Sequence, residues 1–126
     1  MVYTIIHNNK SYTLPKKTIS VMEKLDSILK IDAVPGLSLR EKFEQLRLFL
    51  MDIVGEDATN EILGSDNLED VDLSDITITV KKIVDAYDKP LIDYNNKKSK
   101  DALNQIPFDK ITQLAKVTAD MPKNND

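Results

Sequence analysis

Cysteine and tryptophan are absent from this chain, and histidine occurs once. Without cysteine there is no disulfide, no thiolate metal ligand and no thiol nucleophile, a composition that suits a reducing compartment. His7 stands alone, with no second imidazole for a zinc site and no carboxylate beside it to complete a triad, so it reads as a residue flanking a loop. The three glycines, Gly36, Gly55 and Gly64, are too scattered for a phosphate-binding loop, and each falls where one element should end. No apolar run is long enough to span a bilayer, and the front of the chain lacks the charged-then-apolar pattern of an export signal. A soluble, cytoplasmic protein without membrane partners is therefore expected. With 17 basic against 21 acidic residues the net charge is −4, which argues against a general nucleic-acid binder.

What is present is patterned. In MVYTIIHNNKSYTLPKK a two-residue Asn8-Asn9 loop suits a type I′ turn, because asparagine tolerates positive φ at both central positions. That loop sets Ile5 opposite Tyr12 and Tyr3 opposite Leu14, placing all four on one face of a β-hairpin. Two strands alone are marginal in water, so this face must be covered. After Pro15 the period changes from two to three and four. Ile19, Met22, Leu25 and Leu29 mark a helix over 18–31 with Thr18 as its N-cap. Ser38-Leu39-Arg40-Glu41 has the form of a capping box and starts a second helix, whose inward stripe is expected to run Leu39, Phe43, Leu46, Leu50 and Ile53 to a stop at Gly55. EDATNEIL reads as a short helix, and the acidic SDNLEDVD as a surface connection anchored by Leu68 and Val71.

Asp72 then caps the longest stripe, Leu73, Ile76, Val80, Ile83, Tyr87, Leu91 and Tyr94. Its Ile76–Val80 run is strand-like by propensity, yet the helical spacing persists beyond it. Pro90 removes an amide and crowds the carbonyl of Ala86, so a kink or restart is expected there. NNKKSKDALNQ reads as a loop or frayed helix end, and Pro107 opens a final helix with Phe108, Ile111, Leu114 and Ala115 inward. The expected architecture is mainly α, a compact bundle of about five helices with an N-terminal β-hairpin, in a single domain over 1–126. Within it, 1–17 is the hairpin, 18–121 is helical and 122–126 is a loose tail.

Candidate sites are few. The acidic run Asp66 to Asp75 fails the spacing of a calcium loop: counted from Asp66 the sixth position is Val71 and the twelfth Thr77, and counted from Asp70 the twelfth is Lys81. No metal or cofactor is expected. Lys97-Lys98-Ser99-Lys100 is short and carries no interleaved aromatics, which favours a solvated segment over a phosphate contact. A helix of about 24 residues would run about 36 Å, longer than a domain of this size needs to bury it. A bend at Pro90 would turn Tyr87, Leu91 and Tyr94 away from the core line, and tyrosine suits a surface that is wet when empty and dry when filled. These three residues are the candidate partner-binding site, the alternative being a wholly internal core helix bent at Pro90.

Read in order, the hairpin YTIIHNNKSYTLPKKT, the helix ISVMEKLDSILKI, the segment FLMDIVGEDATNEILGSDNLEDVDLSDIT and the helix VKKIVDAYDKPLIDYNNKK resemble the tail assembly chaperones of long-tailed phages and prophages of Gram-positive bacteria. VGEDATNEILGSDNLEDVDL and IVDAYDKPL are the pieces that carry the resemblance best. It implies a small, mostly helical, non-enzymatic protein of the bacterial cytoplasm, encoded just ahead of the tape-measure protein. Such proteins hold that long, aggregation-prone partner while tail-tube subunits polymerise around it, with the major tail protein as a second partner, and are absent from the mature virion. A longer, frameshifted product is often made as well. Self-association stays open, as does the alternative of a structural head-tail or tail completion protein retained in the virion. The family offers no motif residues that transfer by position, so Tyr87, Leu91 and Tyr94 rest on amphipathicity alone.

Overall fold

The computed structural model describes residues 1–105, with side chains described for residues 1–98. It is mainly helical, with an N-terminal two-stranded hairpin, as the periodicity implies. One domain over 1–126 is the sequence expectation; by its internal contacts the chain divides into two units, Met1–Lys89 and Pro90–Asp126.

β1 (Tyr3–His7) and β2 (Lys10–Leu14) pair antiparallel with Tyr3 opposite Leu14 and Ile5 opposite Tyr12. Asn8 and Asn9 have φ of 50° and 64°, the left-handed conformation that lets a two-residue turn follow the twist of its strands. Tyr3, Ile5, Tyr12 and Leu14 are all buried, so the predicted face is the one that packs. The first helix, α1 (Ile19–Leu29), is capped by Thr18, whose Oγ1 accepts from the Val21 amide at 3.2 Å. Only Leu25 on α1 is fully buried; Val21, Met22 and Ile28 are partly so, whereas Ile19 and Leu29, expected inward, are exposed.

α2 (Leu39–Val54) opens on the capping box: Ser38 Oγ accepts from the Glu41 amide at 3.1 Å, and the Glu41 carboxylate accepts from the Ser38 amide at 2.9 Å. Two of the orphan donors of a helix start are thereby satisfied. Phe43, Leu46, Phe49, Leu50 and Ile53 are buried, but Leu39 is 66% exposed. It stands in the first turn of the helix, at the rim of a surface hollow that it shares with Phe43, Leu68, Val71 and Leu73. Gly55, at φ 93°, separates α2 from α3 (Glu56–Leu63) with no intervening loop, a backbone conformation that side chains oppose. Thr59, fully buried, donates its hydroxyl to the Gly55 carbonyl at 2.7 Å. The acidic connection forms one tight turn, Leu68–Asp70, anchored by Leu68 and Val71 as expected.

α4 (Leu73–Gln105) is the longest element. Asp72 Oδ1 accepts from the Ser74 amide at 2.9 Å at its start. The β-branched run is helical, and Ile76, Val80 and Ile83 join the core. Helix continues through Pro90 and through NNKKSKDALNQ to Gln105, so a restart at Pro90 and the loop alternative are corrected, and the stretch is the end of the helix. Pro90 has no amide to give the Ala86 carbonyl, but a single lost bond does not end a helix whose neighbouring turns are intact. At the turn before it, the Tyr87 carbonyl accepts an additional bond from Lys17 Nζ at 3.1 Å. Four α-helices are therefore seen among the described residues; the expected fifth, from Pro107, and the 122–126 tail lie outside them. In the first unit one apolar cluster joins the hairpin face to all four helices. Among the described residues no helix is long and apolar enough to cross a membrane.

Candidate partner-binding site

Of the three residues expected to form a partner site, one is buried and two are exposed. Tyr87 is 1% exposed. Its ring lies 4.9 Å from that of Tyr3, and its hydroxyl donates to the Pro15 carbonyl at 2.7 Å, so it fastens α4 to the hairpin and to the chain leaving β2. Burial raises the phenol pKa, the direction expected when low-dielectric surroundings disfavour a phenolate. Tyr87 is a core residue, and its assignment to the partner surface is corrected: the helix does not turn it away from the line of Ile76, Val80 and Ile83 but carries that line one turn further. Leu91 and Tyr94, both 59% exposed, stand outside the core, as does Ile92. Every residue from Leu91 to Lys98 is exposed, so this stretch of helix presents Leu91, Ile92 and Tyr94 without a covering element among the described residues.

The remaining sequence candidates serve local structure. Within the acidic run, Asp72 caps α4, the Asn67 side chain accepts from the Glu69 amide at 3.0 Å, and Glu69 pairs with Arg40 of α2. That ion pair lowers the Glu69 pKa and raises that of Arg40. Among the described residues no three His, Asp or Glu side chains gather as metal ligands would. His7 Nδ1 lies 3.4 Å from Lys82 Nζ, and the same ammonium donates to the Ile6 carbonyl at 2.9 Å. Lys97 and Lys98 sit on exposed helix.

Two features were not foreseen from sequence. Glu61 on α3 accepts from both Lys10 Nζ and the Tyr12 hydroxyl, each at 2.7 Å, which ties α3 to β2. The Lys10 and Tyr12 hydrogen bonds lower the Glu61 pKa, and the bond to Glu61 raises that of Tyr12. The only sequence trace of this was the charge of Lys10 and Glu61, far apart in the chain. Second, Leu39, Phe43, Leu68, Val71 and Leu73 line a surface hollow of about 320 Å³, with Arg40 and Glu69 also in its wall. It is an apolar indentation between α2, the Leu68–Asp70 turn and the start of α4. No protein-family model, curated protein or solved structure matches the chain.

Proposed function

We propose that this protein is a non-enzymatic assembly chaperone for a phage tail, one that holds the tape-measure protein while the tube of major tail protein polymerises. The observation that carries the reading is the run of solvated helix at Leu91–Lys98, where Leu91, Ile92 and Tyr94 are exposed beyond the end of the core stripe. Side chains of this kind at helical spacing offer a surface on which an amphipathic client helix can lay its own apolar anchors. The resemblance of the hairpin, helix order and VGEDATNEILGSDNLEDVDL to tail assembly chaperones supports the choice of client. Glu61 and Glu69, whose pKa values are lowered, are each bound to a side chain of another element, Lys10 and Tyr12 for the first and Arg40 for the second, which fits a holding role.

The test is capture of purified tape-measure protein by the full chain. Leu91→Asp and Tyr94→Ala should weaken capture while leaving the melting temperature within a few degrees of wild type, because neither side chain is part of the core. Unchanged capture by both variants would remove this surface from consideration. Mass spectrometry of purified virions separates the chaperone from a tail completion protein: the chain should be missing from the particle, and its presence there would favour the structural alternative.

A further inference from the structure

The hairpin is a sheet of only two strands, so each strand has an outer edge. In an antiparallel pair closed by a two-residue turn, alternate residue pairs exchange both backbone bonds, beginning with the pair that flanks the turn. Here those are His7 with Lys10, Ile5 with Tyr12 and Tyr3 with Leu14. The amides and carbonyls of Thr4 and Ile6 therefore point outward from β1. The Ile6 carbonyl confirms the direction by accepting from Lys82 Nζ, a side chain reaching in from α4. Among the described residues neither the Ile6 amide nor either backbone group of Thr4 has a hydrogen-bond partner.

Sheet edges are normally guarded by a charge, a proline or a bulge. β1 carries little of this in its own sequence: Met1 to Ile6 has no Lys, Arg, Asp, Glu or Pro and the register with β2 runs unbroken, so the charge described at this edge is the Lys82 ammonium on the Ile6 carbonyl. β2 is guarded, with Lys10 at one end and Pro15-Lys16-Lys17 beyond the other. The solvent-facing side chains here are also apolar or β-branched: Thr4 and Ile6 of β1 and Val2 just before it, with Val2 77% and Ile6 64% exposed.

We propose that the outer edge of β1 is a self-association edge, on which a second copy of the chain pairs its own β1 antiparallel about Thr4, extending the hairpin to a four-stranded sheet. Charge selects this occupant and orientation. A chain of net charge −4 repels its own copies over most of its surface, but this strand contributes none of that charge. Antiparallel pairing centred on Thr4 sets Val2 against Ile6 of the other copy on both sides of the dyad, burying their exposed side chains as β-branched cross-strand pairs. It also holds the two His7 residues roughly 20 Å apart, at opposite ends of the new ladder, where a parallel arrangement would set them side by side. The outward groups then supply roughly six ladder bonds, the Ile6 carbonyl using its second lone pair or releasing Lys82. This inference stands apart from the tail-assembly reading and survives or fails without it.

The experiment is solution mass by light scattering on the full chain. Wild type should have twice the monomer mass of 14.3 kDa. Thr4→Lys and Thr4→Glu each put like charges directly opposite across the dyad and should be monomeric alone, whereas mixing the two should restore the doubled mass as a heterodimer. Because Thr4 points to solvent, both variants should retain the wild-type circular dichroism spectrum. A monomeric wild type, or charge variants that remain dimeric, would overturn the proposal. Should either variant fail to fold, Thr4→Cys in this cysteine-free chain decides: it should oxidise readily to a covalent dimer while Thr13→Cys, on the outer side of β2, should not. Equal cross-linking at both positions refutes a specific β1 edge.

Discussion

Replacing Tyr87 separates a core side chain from a surface one on the same stripe of the same helix. Tyr87→Phe keeps the ring against Tyr3 but withdraws the hydroxyl that donates to the Pro15 carbonyl at 2.7 Å. Since Pro15 is only half-buried and water can reach its oxygen in part, the loss should be near the low end for an unmade hydrogen bond, about 1 kcal/mol. Tyr87→Ala also deletes a ring that is 1% exposed and leaves a cavity beside Tyr3, so the expected loss is about 3–5 kcal/mol. Against a total stability on the order of 5–15 kcal/mol, that is a large fraction. In urea titrations followed by far-ultraviolet circular dichroism, with slopes of about 1–3 kcal/mol per molar, the alanine variant should shift the midpoint down by on the order of 2 M. Leu91→Ala, four residues on and exposed, should stay within about 0.5 kcal/mol of wild type. If Leu91→Ala destabilises as much as Tyr87→Ala, or Tyr87→Ala leaves the midpoint in place, the assignment of Tyr87 to the core and Leu91 to the surface is refuted.

Ile5 is buried at the centre of the hairpin face, so Ile5→Ala should lose about 2–4 kcal/mol in the same titration; an unchanged midpoint would mean the hairpin does not pack on the helices. Acid should weaken the fold through Glu61, Glu69 and Glu41, whose folded pKa values are all lowered, respectively by hydrogen bonds from Lys10 and Tyr12, by Arg40 and by the Ser38 cap. The unfolded chain then binds more protons as pH falls through the ordinary carboxylate range, so the stabilisation present above that range is lost as pH drops through the lowered folded values. Thermal melts at stepwise lower pH should show this, and Glu61→Gln should flatten part of the slope; identical slopes for variant and wild type would exclude Glu61 as a contributor.

Sequence alone determined those elements whose causes lie within a few residues of each other. Asn8-Asn9 between alternating strands specifies the turn and the register, because positive φ at two successive positions admits few residue types and a two-residue loop leaves one pairing. Ser38 and Glu41 start α2 because each side chain reaches the other's amide across one turn. The length of the Leu73 stripe outweighed its strand-like beginning for a similar reason: periodicity sums over many residues, propensity acts on each singly. Only the tertiary structure decided which end of a stripe is covered. Ile19 and Leu39 fit their helical faces by spacing but are exposed in the first turns of their helices, while Tyr87 belongs to the core because Tyr3 and Pro15 meet it from the hairpin. Spacing places a side chain on a face of its own helix; whether that face is dry depends on an element dozens of residues away, and no local pattern encodes where that element stops.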